Sequence, residues 1–86
     1  ETLYQNALQA KSGNQLDFAM QQLQDYLRFF PDGSYAPNAQ YHIGEILATQ
    51  GKFDEAVQAF DQVLEKYPDN SKTLDAMLSK GRALAK

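Results

Sequence analysis

Tyr26-Leu27-Arg28-Phe29-Phe30-Pro31-Asp32-Gly33-Ser34 is answered thirty-seven residues later by Val63-Leu64-Glu65-Lys66-Tyr67-Pro68-Asp69-Asn70-Ser71. Both stretches run from an apolar helix end through a proline into a polar turn. Proline has no N–H to donate and disfavours helical geometry in the residue before it, so each stretch stops a helix. The same offset holds on either side. Tyr4 falls on Tyr41, Leu16-Asp17 on Phe53-Asp54, Ala19 on Ala56, Leu23 on Phe60 and Leu27 on Leu64. Further on, Ala39 falls on Ala76, Gly44 on Gly81, Leu47 on Leu84 and Ala48 on Ala85. A fixed period of this size marks a stack of supersecondary units, each too small to bury its apolar face alone.

Periodicity within the units is helical. Leu16, Ala19, Met20, Leu23, Tyr26, Leu27 and Phe30 recur at i, i+3, i+4 and i+7, as do Phe53, Ala56, Val57, Phe60, Val63, Leu64 and Tyr67. Strand alternation appears nowhere. Five helices are expected, at about 1–12, 15–30, 35–50, 53–67 and 71–85. Gly13 is expected to take the left-handed conformation that closes the first. Ser34 and Ser71 are read as N-caps of the third and fifth, and Pro37 lies where a missing N–H costs little. The fold class is therefore all-α: antiparallel helix pairs in a stack of about two and a half repeats. Residues 1–86 read as a single domain, with repeat one at about 1–34, repeat two at about 35–70 and a capping helix at about 71–86.

Bulk properties narrow the function. A chain of 86 residues buries only about 60% of its unfolded surface, so its core is modest. There is no apolar run of the length that spans a bilayer. The chain opens on Glu1 rather than Met, and an excised domain or processed product is expected, so the lack of a targeting segment carries no information on location. Cysteine is absent, which excludes disulfides and thiolate metal sites. A net charge of −3 argues against nucleic acid as a partner. Lys72, Lys80, Arg82 and Lys86 against Asp75 give residues 71–86 a charge of +3, so residues 1–70 carry −6.

Residues 40–68 resemble the tetratricopeptide repeat. Its pattern appears as Gln40-x₂-Ile43-Gly44-x₂-Leu47, then Ala56-x₃-Phe60, then Pro68. The first copy keeps Ala19-x₃-Leu23 and Pro31, with Ala7 where Gly44 stands. Ala7, Gly44 and Gly81 are read as small because paired helices cross closely there, and Ala19 and Ala56 as small so that the second helix packs tightly. Gln40 departs from the usual aromatic, and Lys80 puts a charge where Ile43 is apolar.

The wording of the turns is more specific. Lys11-Ser12-Gly13, Phe30-Pro31-Asp32-Gly33-Ser34, Ala36-Pro37-Asn38-Ala39-Gln40-Tyr41 and Tyr67-Pro68-Asp69-Asn70-Ser71 resemble the C-terminal domain of the Tol–Pal-associated periplasmic family YbgF, also called CpoB. The outer-membrane assembly lipoprotein BamD shares much of this style and stays as an alternative. The first resemblance implies a periplasmic scaffold for envelope constriction at cell division, preceded by an oligomerising coiled coil. Its implied partners are TolA and a bifunctional peptidoglycan synthase.

Chemistry is not written into these residues. His42 is the only histidine, so no histidine pair can hold a metal. Asp54, Glu55, Asp61 and Glu65 read as solvated helix carboxylates. Gly51-Lys52 lacks the preceding glycine of a phosphate loop. No catalytic residue, cofactor or metal is expected, and membrane insertion is not expected either. A non-enzymatic protein-interaction scaffold ranks first, a structural or oligomerising spacer second, and an enzyme acting on a small molecule a distant third.

The partner groove is placed on the first helix of each unit, one turn apart along each: Tyr4, Leu8 and Lys11; Tyr41, Glu45 and Thr49; Leu78, Arg82 and Lys86. Phe18 and Phe29 lie eleven residues apart, about three helical turns, and so share a face outside the main stripe. Two readings stand for them: a cover over the N-terminal helix, or a contact surface supporting weak self-association.

Overall fold

Apolar spacing, glycine and proline divide the chain into five helices. The computed structural model describes residues 2–86, with α1 at Thr2–Ser12, α2 at Leu16–Phe29, α3 at Ala36–Thr49, α4 at Phe53–Lys66 and α5 at Ser71–Leu84. Among the described residues there is no strand. The expected ends hold to within a residue or so, except the expected start of the first helix at residue 1, which lies outside the described residues. Consecutive helices pack on one another, and α3 also touches α5. The molecule is 17 Å across its thinnest dimension. At about 10 Å per helix, that is two layers deep.

The repeat is visible in the backbone itself. Phe30 ends α2 at φ −132°, ψ 61°, and Tyr67 ends α4 at φ −132°, ψ 60°. Gln15 enters α2 at φ −91°, ψ 69°, and Lys52 enters α4 at φ −90°, ψ 69°. The turns between paired helices match as well. Gln15 N donates to Ala10 O at 2.8 Å and Asn14 N to Lys11 O at 3.1 Å, while Lys52 N donates to Leu47 O at 2.9 Å and Gly51 N to Ala48 O at 3.0 Å. Each pair of bonds satisfies carbonyls left open at a helix end.

These turns correct one expectation. The left-handed residue after α1 is Asn14, at φ 62°, not Gly13. Asn14 is the period mate of Gly51, at φ 79°. Asparagine tolerates this conformation better than other side chains, so the turn forms without a glycine.

Both expected serine caps are also replaced. Tyr35 precedes α3, and its N–H donates to Tyr26 Oη at 3.1 Å, so the α2 tyrosine does the work assigned to Ser34. Gly33 makes room for that hydroxyl, because a Cβ there would collide with it. At α5 the cap is Asn70, one residue before Ser71. Its side chain accepts from Lys72 N at 2.9 Å, and Thr73 Oγ1 accepts from Asn70 N at 3.2 Å.

The core falls into two clusters. Ala7, Ala19, Leu23 and Tyr26 centre the first, with Ala36, Ala39 and Ile46 of α3. Ala56, Phe60, Val63 and Ala76 centre the second. Leu47 packs against both. Tight packing of α1 on α2 and of α3 on α4 follows from Ala7, Ala19 and Ala56, all wholly buried, and from Gly44, where a Cβ would collide with the Phe60 ring. Gly81 is different: a Cβ there meets nothing within 4 Å. Among the described residues no helix crosses it, so its expected role as a close-crossing position is corrected.

Candidate protein-interaction surface

The residues expected to line the groove do not form one continuous strip. Tyr4 belongs to the core instead. It is 6% exposed and stacks on Tyr35, with ring centroids 4.6 Å apart and planes 3° apart. The tyrosine is amphipathic, and burying its ring wins over displaying it. Leu8 is half-buried against the same cluster.

Lys11, Glu45 and His42 form a polar clasp between α1 and α3. Lys11 Nζ donates to Glu45 Oε1 at 2.6 Å, and His42 Nδ1 lies 2.8 Å from the same oxygen. An ionised carboxylate only accepts and the Lys11 ammonium, 3.1 Å from the same Nδ1, only donates, so Nδ1 can bond one of the two at a time. Partial burial of Glu45 works to raise its pKa, but the hydrogen bonds from His42 and Lys11, with the Lys11 charge, outweigh it and hold the carboxyl at about 2. Glu45 is thus an ionised acceptor already committed to its own chain. The sequence placed Lys11 and Glu45 on one surface but did not pair them.

Tyr41 is half-buried. Its ring lies 5.6 Å from Phe60, Lys72 Nζ sits 5.2 Å over its face, and its hydroxyl is 3.1 Å from Ser79 Oγ. Burial raises its pKa first of all, against the lowering hydrogen bond with Ser79. Tyr41 therefore joins α3 to α4 and α5 rather than standing free as an anchor.

A cleft of about 410 Å³ opens between α3 and α5, floored by α4. Four of the expected residues line it: Glu45, Thr49, Arg82 and Lys86. Phe53 and Phe60 form its apolar floor, with Ala48, Ser79 and Ala83 on the walls. Thr49 Oγ1 donates back to Glu45 O at 2.9 Å, so its hydroxyl is already engaged within α3. Among the described residues, Arg82 and Lys86 make no ion pair, whereas Lys80 of the same helix is bound to Asp61 at 2.6 Å. With Glu45 already neutralised by Lys11, the cleft mouth is positive.

Leu78 does not line the cleft. It is 56% exposed on another face of α5. Counting in fours from Arg82 drifts about 40° per step around a helix, so Leu78 lies off the face that Ser79, Arg82, Ala83 and Lys86 share. A count alternating three and four recovers Ser79 and Ala83. Phe53 and Phe60 had been read only as core residues, and nothing in their spacing marks the part of each ring left facing the cleft.

Phe18 and Phe29 are 53% and 61% exposed on α2. The reading in which they cover the N-terminal helix is therefore set aside. Arg28 lies 5.2 Å over the Phe29 ring.

No curated protein matches the chain. Residues 37–70, which span α3 from its second residue, the turn at Gly51 and α4, match the tetratricopeptide repeat, within an all-α stack of helix pairs.

Proposed function

We propose that this chain is a non-enzymatic protein-interaction scaffold that holds a peptide in the α3–α5 cleft. Tetratricopeptide repeats generally mediate protein–protein interaction. The observation that carries the reading is the cleft's composition: a floor of Phe53 and Phe60 beneath two cations free of ion pairs among the described residues, Arg82 and Lys86. An apolar side chain fits the floor, and a carboxylate from an acidic side chain or a chain terminus fits Arg82, whose fork of donors matches carboxylate geometry. The cleft is open and shallow, which suits a peptide better than an enclosed small molecule.

The finer part of the proposal is the setting. The turn wording around Pro31 and Pro68, and the Ala36-Pro37-Asn38-Ala39-Gln40-Tyr41 phrase, support a YbgF-like role in the periplasm, linked to the Tol–Pal system and cell division, with TolA and a bifunctional peptidoglycan synthase as partners. Titration calorimetry against a TolA fragment tests both levels. Arg82→Glu with Lys86→Glu is expected to abolish binding, and Gln58→Ala on the outer face of α4 to leave it unchanged. Equal affinities would move the site elsewhere. Absence of binding to TolA, with acidic peptides still bound, would remove the Tol–Pal setting and keep the scaffold.

A further inference from the structure

Three side chains of the α1–α3 clasp meet at distances that no single protonation state of His42 satisfies. Lys11 Nζ lies 3.1 Å from His42 Nδ1, Glu45 Oε1 lies 2.8 Å from the same Nδ1, and Lys11 and Glu45 are 2.6 Å apart. With its proton on Nε2, the neutral ring accepts from Lys11 and turns a lone pair toward the carboxylate. With its proton on Nδ1, it donates to Glu45 and turns that proton toward the ammonium. In the charged ring Nδ1 donates to Glu45, and two cations then share one carboxylate. The clasp is thus balanced in charge while His42 is neutral and carries an excess positive charge once it is protonated.

That charge stands next to the proposed peptide site. Glu45 belongs to both places: its Oε1 meets Lys11 and His42, and its side chain lines the α3–α5 cleft with Arg82 and Lys86. The His42 side chain is only 16% exposed, so salt and water screen its field less than that of a surface charge. We infer that His42 tunes the cleft: its protonation strengthens the binding of acidic peptides. This rests on the proposed peptide-binding role of the cleft. The coupling is reciprocal, because a ligand that favours one protonation state shifts the titration toward that state by the same factor.

The surroundings single out His42 as the group that switches. Around its ring stand Lys11 and Tyr4 of α1 and Glu45 and Tyr41 of α3. From α5, Lys72 lies over the Tyr41 ring and pairs with Asp75 at 3.7 Å. Burial holds Tyr4 and Tyr41 above the ordinary tyrosine range, and Glu45 is held at about 2. Histidine is the side chain that ordinarily changes charge between pH 5 and 8. Affinity for an acidic peptide is therefore highest at the acid end of that window and falls as pH rises through the histidine titration. The peptide's own carboxylates titrate below the window.

Calorimetric titration of the chain with an N-acetylated peptide whose only side chains are leucine, glutamate and aspartate tests the inference. Binding should be about two- to fivefold tighter at pH 5.5 than at pH 8, with proton uptake revealed by buffers of different ionisation enthalpy. His42→Gln keeps a donor and an acceptor in the clasp without a titrating charge, and should flatten the profile. A flat profile in the wild type, or one equally steep in His42→Gln, overturns the inference and leaves the cleft reading standing. No binding at any pH overturns the cleft reading and this inference with it. A second arm needs no peptide. His42 is the only histidine, so its ring signals in NMR spectra are unambiguous. Its titration midpoint should rise by about half a pH unit in Arg82→Glu with Lys86→Glu. A midpoint that does not move would show that the clasp and the cleft are uncoupled.

Discussion

Gly44 on α3 lies directly beneath the ring of Phe60 on α4. Phe60 is 1% exposed and its ring also lies against Tyr41, so it is held by more than one neighbour. Gly44→Ala should therefore destabilise the fold by about 1–3 kcal/mol despite alanine's better helix propensity. Gly81→Ala, at the period mate of Gly44, should act in the opposite sense and stabilise by about 0.5–1 kcal/mol, because its Cβ enters open space. Thermal melts of the two variants check this: in a chain of this size each kcal/mol moves the midpoint by about 4–8 °C.

The turn after α1 gives a second test. Gly13→Ala should be neutral or mildly stabilising, since its Cβ would sit at ordinary distances, 3.5 Å from Gln9 O and 3.7 Å from Ala10 O. Asn14→Gly should stabilise by a few tenths of a kcal/mol by relieving a left-handed non-glycine residue, and Gly51→Ala should cost about 1 kcal/mol. Chemical denaturation with a constant m-value would read out all three. A loss at Gly13 larger than at Gly51 would return the left-handed role to Gly13.

Glu45 makes stability depend on acid. Its folded pKa, about 2, lies below its ordinary value of 4.5. The stabilisation is complete above the ordinary value and is lost as pH falls from about 4.5 toward about 2. A third of the side chain is open to water, so screening holds the contribution to about 1 kcal/mol. Glu45→Gln should be less stable than the wild type at pH 7 by that amount, and the gap should close on acidification. A gap constant down to pH 2 would mean that the clasp of Lys11, His42 and Glu45 contributes through shape and not charge.

Tyr41 separates packing from recognition. Tyr41→Phe removes only the contact with Ser79 and should cost about 1 kcal/mol. Tyr41→Ala also removes the ring from between Phe60 and Lys72 and should cost about 2–3 kcal/mol. A weakened partner affinity in Tyr41→Ala is therefore interpretable only beside its melting curve. Arg82→Ala, at an exposed position, should leave the curve unchanged.

Most of the architecture was legible because it rests on periodic, local signals. Pro31 and Pro68 stop α2 and α4 by covalent geometry, and the apolar stripes of those helices set which face turns inward. The caps were misplaced where a distant or neighbouring side chain competes with serine: Tyr26 reaches from α2 to Tyr35, and Asn70 takes the role given to Ser71. The period held the correction at Asn14, since Gly51 lies one period downstream of it and Gly13 does not align with it. The groove was half legible. Thr49 and Arg82 were placed by helical spacing, but Tyr4 was not, because spacing names a face and does not say which neighbour covers it. Tyr35, stacked on Tyr4, lies in an irregular turn whose path periodicity does not predict.

Leu47 is where the two core clusters meet, and that junction shapes how the molecule comes apart. An array held by contacts between neighbours unravels from whichever end is least supported. Helix α5 turns only Ala76 and Ala83 fully inward, against six buried residues in α3. Its amide protons should exchange with solvent fastest among the last four helices, those of α3 slowest, with α4 between them. A graded opening of this kind lets the far wall of the cleft, with Arg82 and Lys86, loosen while the first helix pair and its tyrosine cluster stay closed. On the proposed reading, the α5 wall would adjust to a bound peptide by local breathing, without the cost of global unfolding.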